Sequence, residues 1–325
     1  MPLNLKDLKI LQQLDLNPRI TTSALAKKVR LSQQVVDYRL RRLQEQKLIA
    51  QFGTIFNLNK LGYQQYRILF QLGKSNEEQK KGILGYLQKR GVYWCALIGG
   101  KWDLLVVVWV KDYAEFEHFL DGIFTRFREI IRDYDSVYVL YHEFYTHKFL
   151  WNNHASKPLT INLKQNSSRL DLDVIDEKIL GLIKNNCRLS ALETGRIVGV
   201  NYKTVQNHIR TLEQQGLIVG YRTFLKSEEI GNKAYLLLLS FRHYGQEEEK
   251  RLQGYSRTHP QITQFLKLFG GWSIMLHLRV KDSRELQKII VEIKENYPSI
   301  GNYEIVPIFE DVAIDTFAVV KPKIK

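Results

Sequence analysis

The spacing of apolar residues divides the chain into segments that alternate between helical and strand periodicity. Leu5, Leu8, Leu11 and Leu14 form a helical stripe, and Thr21 or Thr22 can cap a short second helix carrying Ala24, Leu25 and Val29. Behind Ser32, a natural N-cap, Val36, Leu40 and Leu43 fall at i, i+4 and i+7 and predict a third helix. The stretch "LIAQFGTIF" then has strand bias, with Gly53 where a two-stranded wing would turn. Three helices, a tight connection before the third, and a β wing predict a winged helix-turn-helix. After Gly62 come a strand (Tyr66 to Leu72), a helix (about 76–90) and two strands around "IGGKWD". A strongly amphipathic helix with Phe116, Phe119, Leu120, Ile123, Phe127, Ile130 and Ile131 follows, then the strand "SVYVLYHEF". That order, βαββαβ, is ferredoxin-like.

The pattern then repeats. Shifted by 169 residues, Asp7, Lys9, Ile10 and Leu11 fall on Asp176, Lys178, Ile179 and Leu180, and Arg19 falls on Arg188. Val36, Arg41, Leu43, Leu48 and Ile49 fall on Val205, Arg210, Leu212, Leu217 and Ile218. One ungapped register over about 4–62 against 173–231 marks a duplicated unit. A second βαββαβ series follows through "YLLLLSF", "EEEKRLQGY", "ITQFLKLFGGWSIMLHLRV", "SRELQKIIVEI" and "YEIVPIFEDVAI", with Pro307 marking an edge or a bulge. The fold class expected is α+β. Winged helix-turn-helix domains occupy 1–63 and 171–232, and ferredoxin-like domains occupy 64–146 and 233–325. Residues 147–170 form a polar linker in which Leu150, Trp151, Leu159 and Ile161 can pack on a neighbour.

Composition adds a direction. The 325 residues carry 44% hydrophobic and 25% charged side chains, ordinary for a globular protein, but a net charge of +14 and a pI near 9.5 favour polyanionic partners. The lysines and aspartate of the first residues exclude a signal peptide, and no apolar run is long enough to span a bilayer. Cys95 and Cys187, far apart, suit a reducing compartment. A soluble, cytoplasmic protein with no membrane partner is expected.

Candidate chemistry concentrates on the two third helices. With Val36, Leu40 and Leu43 turned inward, Ser32, Gln33, Gln34, Asp37, Tyr38, Arg41 and Arg42 lie at the cap or on the outer face. In the second copy Asn201, Tyr202, Lys203, Gln206, Asn207 and Arg210 take those places. Such side chains suit base edges in a major groove: Arg for guanine, Gln or Asn for adenine, Asp for cytosine. The differences Gln34/Lys203 and Tyr38/Asn207 imply an asymmetric site. The glycine turns "GGKWD" and "GGWS" offer backbone N–H groups for a carboxylate, with Asp103 for an amino group, so Gly99, Gly100, Asp103, Gly270 and Gly271 are candidate effector-binding residues. "HEFYTH" sets His142 and His147 five apart, which on a strand points them to opposite faces and argues against a metal site. No catalytic constellation, metal site or cofactor is expected.

The segments "LKILQQLDLNPRITTSALAKKVRLSQQVVDYRLRRLQEQKLI" and "ALIGGKWDLLVVVWVKD", with their second-half counterparts, resemble the Lrp/AsnC transcription regulators. The resemblance covers nearly the whole chain, twice. It implies sequence-specific binding of double-stranded DNA and response to a small-molecule effector such as an amino acid. It also implies an intramolecular pseudo-dimer able to form higher homo-oligomers, because family members dimerise through the βαββαβ domain. Covalent linkage would set the effective concentration of one half for the other at roughly millimolar. An alternative is an enzyme: siroheme decarboxylases share this architecture, sometimes in tandem. Their histidine-bearing segment, roughly "V-S-H-C-Y", has no match in "VYWCALIGG" or "ITQFLKLFGG".

Overall fold

The computed structural model describes residues 4–151, 159–162, 169–242 and 245–318. The first helix-turn-helix comprises α1 (Leu5–Leu16), α2 (Thr22–Val29) and α3 (Gln33–Glu45); the second comprises α6 (Val174–Ile183), α7 (Ala191–Val198) and α8 (Tyr202–Gln214). Caps set their starts: Thr21, Ser32, Ser190 and Asn201 each accept a backbone N–H at the head of α2, α3, α7 and α8. The stripe on α1 differs from the one expected. Leu5 is exposed, and the inward row is Asp7, Ile10, Leu11 and Leu14. Asp7 occupies the first inward position because Arg39 and Arg42 of α3 bond its two oxygens at 2.8 and 2.6 Å.

The wings also differ from expectation. Neither copy forms its own hairpin. Each gives one strand, β1 (Ile49–Phe56) and β7 (Ile218–Leu225), and the two pair antiparallel with each other. Gly53 makes no turn; it lies opposite Arg222, the residue at the same position in the other copy, so the pseudo-dyad passes between them. A side chain at Gly53 would strike the ring of Phe224 at 2.6 Å. Each helical unit packs on the other's strand: Thr223 Oγ1 donates to the Leu14 carbonyl, and Thr54 Oγ1 to that of Ile183.

The βαββαβ units are β2 (Gln64–Leu72), α4 (Glu77–Arg90), β3 (Trp94–Ile98), β4 (Leu104–Val110), α5 (Tyr113–Phe127) and β5 (Ile131–Phe144), then β8 (Lys233–Phe241), α9 (Gln246–Thr258), β9 (Ile262–Phe269), β10 (Ile274–Val280), α10 (Ser283–Asn296) and β11 (Ile300–Ile314). Helix α5 stops at Phe127, so Ile130 and Ile131 belong to the turn and the next strand rather than to the helix. The two four-stranded sheets join edge to edge through β3–β11 and β5–β9, and β2 pairs with both β4 and β5, so eight strands close a barrel. Closure leaves no open edge within that ring. Alternate residues fill its interior, among them Leu69, Leu105, Val107, Val139, Leu236 and Leu238, while Ile68, Phe70, Leu237 and Leu239 face the helices outside. Pro307 pairs with Tyr235 of β8 where β11 is about to take up β3 from Ile308 onward, beside a register shift between Ile308 and Glu310.

Parts of the expected linker are structured. A turn at Lys148–Leu150 buries Leu150 with Trp151 against the first helix-turn-helix, and β6 (Leu159–Asn162) pairs with β5, where Ile161 is buried and Leu159 half-buried. The remainder of 147–170, at 152–158 and 163–168, lies outside the described residues.

Candidate nucleic-acid interface and a cationic cavity

On α3, Gln33, Gln34, Tyr38 and Arg41 are exposed, Asp37 is half-buried, and Val36, Leu40 and Leu43 are buried. On α8, Tyr202, Lys203, Gln206, Asn207 and Arg210 are exposed over buried Val205, Ile209 and Leu212. Ser32 and Asn201 are also exposed, but their side-chain oxygens are occupied as caps. Arg42 is half-buried and tied to Asp7, which leaves Arg41 as the freer cation of the pair. The second copy keeps this latch in other residues: His208, at the position of Arg39, meets Asp176 at 2.7 Å. Both α3 and α8 present an outer face with exposed amide, phenol and cationic groups, a donor and acceptor set suited to base edges and phosphates.

The glycine turns lie at the barrel seams. Gly99 N donates to the Pro307 carbonyl of the other copy, and a Cβ there would meet Phe309 at 2.6 Å. Gly100 has φ +90°, a glycine conformation, while Gly270 lies against Val137 and Ser136. Asp103 is exposed and accepts the backbone N–H of Leu72 at 2.7 Å. A shallow groove of about 480 Å³ beside it is lined by Lys74, Lys80 and Phe309. Around Gly271, the added Cβ would touch only the Asp135 carboxylate.

A further site was not expected. Between one mouth of the barrel and the β1–β7 ribbon lies a cavity of about 230 Å³, walled by Arg67, His142, Gln264 and His277 from the barrel and by Gln51 and Arg222 from the ribbon. His147, Arg279, Trp94 and Asp311 add to its polar lining, with Tyr93, Lys226 and Thr263. Arg67 Nη1 donates to His277 Nε2 at 3.0 Å and approaches Met275 Sδ at 3.2 Å. His142 Nε2 meets Gln264 Oε1 at 2.8 Å. Arg222 Nη1 donates to the Tyr145 carbonyl at 2.6 Å, and Nη2 lies 3.3 Å from His147 Nε2. His147 Nδ1 in turn meets Asp15 of α1 at 2.6 Å, so the cavity wall is bonded to the first helix-turn-helix. Burial first, then the Arg67 charge, hold His142 and His277 well below the ordinary imidazole range. Burial lowers His147 as well, against the pull of Asp15. These imidazoles are neutral at neutral pH. Burial also brings Arg67 down to about 9 and Arg222 down to about 10, which leaves both guanidiniums charged.

His142 and His147 therefore share a cavity although their separation is odd. The strand ends at Phe144, and the chain turns before His147. The sequence signal available was polarity inside apolar strands: Arg67 in "QYRILF" and His277 in "IMLHLRV" occupy inward positions. Among the described residues, the acidic and imidazole group with metal-like spacing is Asp173, Asp176 and His208, which the α6 cap and the α6–α8 latch already employ. Both thiols are buried and pushed up to about 12 by that burial, so neither is a reactive cysteine.

The fold and the exposed helix faces define a class, a tandem winged helix-turn-helix protein with a closed ferredoxin-like pair. A family of winged helix-turn-helix DNA-binding domains matches residues 3–50 and again 172–219. The chain is similar to the HTH-type transcriptional regulator AldR of Mycolicibacterium smegmatis, 27% identical over 123 residues, which is 38% of this chain and 72% of that protein. It is also similar to the proline dehydrogenase transcriptional activator of Rhodobacter capsulatus, 28% identical over 133 residues, covering 40% of this chain and 85% of that one. The crystal structure of the siroheme decarboxylase NirDL superposes over 96% of this chain and 94% of its own with a TM-score of 0.63 at 12% identity, a likeness of fold. The chain is thus similar to HTH-type transcriptional regulators, with the winged helix-turn-helix unit present twice.

Proposed function

We propose that the chain is a sequence-specific DNA-binding transcription regulator that acts as a single-chain pseudo-dimer. The observation that carries this reading is the pair of capped helices α3 and α8, each with an exposed cationic and amide face, tethered by one shared ribbon. The ribbon fixes two reading heads about a pseudo-dyad, as the two-fold of a dimeric regulator does. The net charge of +14 adds non-specific attraction to phosphate. Ser32, Gln33, Gln34, Asp37, Tyr38 and Arg41 on one head, and Asn201, Tyr202, Lys203, Gln206, Asn207 and Arg210 on the other, form the interface, with Arg42 at its margin. An effector modulates binding, through the glycine turns with Asp103 or through the barrel-mouth cavity.

The test is the double variant Arg41→Ala with Arg210→Ala. Both residues are exposed, so the fold should be unchanged while DNA affinity falls and the slope of log K against log salt drops by about 2. Unchanged affinity and slope would remove these helices from the interface.

A second reading, an enzyme acting on a tetrapyrrole, is favoured by the histidines and arginines of the cavity and by the whole-chain likeness to NirDL. Histidine is absent from the expected β3 and β9 segments but enters from β5 and β10. Size counts against it, since about 230 Å³ falls below the roughly 300–1,000 Å³ of pockets for drug-sized ligands. A Soret shift on adding siroheme would support the enzyme.

A further inference from the structure

The barrel-mouth cavity holds a charge that no described residue neutralises. Arg67 is 1% exposed, its Nε has no hydrogen-bond partner, and its Nη1 meets only a thioether and a neutral imidazole. Arg222 directs its hydrogens to a backbone carbonyl and to His147. Asp311, the carboxylate in the wall, accepts the indole N–H of Trp94 at 2.8 Å and sets its charge against Arg279 rather than Arg67. A buried guanidinium without a counter-charge is costly, and a ligand that supplies the anion removes that cost.

Two other atoms at the cavity lack partners and specify more. Gln51 Nε2 is a free donor, and His142 Nδ1 is a free ring nitrogen. Because His142 gives its Nε2 hydrogen to Gln264, its Nδ1 carries a lone pair and calls for a donor. The complement of these groups is an acceptor-rich anionic end beside Arg67 and Gln51 and a hydroxyl or amino hydrogen beside His142.

The site occurs once. Arg67 has Leu236 at its place in the second copy, His277 has Val107 in the first, and Arg222 faces its counterpart Gly53 across the ribbon. Duplication kept the barrel and confined the polar cluster to one orientation.

We propose that this cavity binds one small organic anion per chain, a carboxylate of metabolite size that also carries a hydroxyl or amino donor. This deepens the effector part of the regulatory reading, but binding itself does not depend on DNA recognition. The planar guanidinium fork of Arg67 matches a carboxylate, and the ligand bridges the barrel and the ribbon that carries both reading heads.

The test titrates the full chain, without DNA, with short-chain 2-hydroxy- and 2-amino-carboxylates and dicarboxylates at millimolar concentration. Inorganic phosphate and siroheme run as separate arms. Thermal unfolding and calorimetry give the readout. At least one carboxylate should raise the unfolding midpoint saturably. Arg67→Met should weaken that binding by about ten- to a hundredfold while melting no lower than the unliganded native chain, because it removes an unpaired buried charge. Gln51→Leu, at a half-buried ribbon position, should weaken it less, and Arg41→Ala should leave it unchanged. The proposal is overturned if no carboxylate shifts the midpoint, if Arg67→Met binds as tightly as the native chain, or if phosphate or siroheme occupies the cavity instead. Loss of DNA binding in the helix variants bears only on the regulatory reading.

Discussion

Two residues of the first copy adopt a left-handed backbone that their second-copy counterparts take as glycine. Arg30, ending α2, has φ 56°, and Lys47, after α3, has φ 57°; Gly199 and Gly216 stand at the matching places with φ 84° and 75°. A Cβ in that region is strained, so Arg30→Gly and Lys47→Gly should each raise stability by about 1 kcal/mol in urea unfolding. An unchanged midpoint would show that the strain is relieved locally. Acid should act in the opposite direction. Burial lowers His259 to about 4 from an ordinary 6.5, and His142, His147 and His277 are lowered too. The unfolded chain then binds more protons than the folded one below 6.5, so this stability is present above that pH and is lost as the pH falls through the folded values. Each histidine contributes at most about 1.4 kcal/mol per pH unit, and urea midpoints measured from pH 7 down to pH 4 should fall steadily below about 6.5. A flat profile would mean that these imidazoles are solvated. The apolar stripe made much of the residue-scale plan legible, yet the inward Asp7 was hidden, because its ionic partners lie on α3 and leave no periodic trace on α1.

At the scale of elements, the order of helices and strands was readable from periodicity, and the positions of α2, α3, α4 and β2 follow from it. Pairing was not. "LIAQFGTIF" has the composition of a wing whether it folds on itself or on its repeat, and only the tertiary arrangement sets β1 against β7. The end of α5 was likewise hidden, since Ile130 and Ile131 continue an apolar row that suits either a helix face or the start of a strand. Exchange of wing strands has a consequence for the isolated half. A fragment of residues 1–151 exposes β1, β3 and the Tyr138–Phe144 part of β5, all of which later residues cover in the native chain. Such edges pair with copies of themselves. Sedimentation equilibrium should therefore find the fragment dimeric or aggregated, whereas a monomer with a native-like spectrum would mean that the halves fold independently.

For the whole molecule, the duplication was legible in one ungapped register, and the resemblance to Lrp/AsnC regulators followed from it. The cavity was not legible as a site, because its walls come from β2, β5, β9 and β10 of both copies and from the ribbon, elements far apart in sequence. Asymmetry is the property that tandem linkage permits and a homodimer does not. It shows in the cavity, where Arg67 and His277 have Leu236 and Val107 at the matching places of the other copy, and on the exposed faces of α3 and α8, where Gln34 and Tyr38 correspond to Lys203 and Asn207. The shared ribbon joins the two units that carry those faces. Selection of bound duplexes from a random library, at a stated salt concentration, tests whether the chain acts as a sequence-specific pseudo-dimer. Two non-identical half-sites are expected, with centres about 10–10.5 base pairs apart, or a multiple of that. A recovered pool indistinguishable from the starting library would overturn sequence-specific binding, and a symmetric inverted repeat would overturn the asymmetry of the two half-sites.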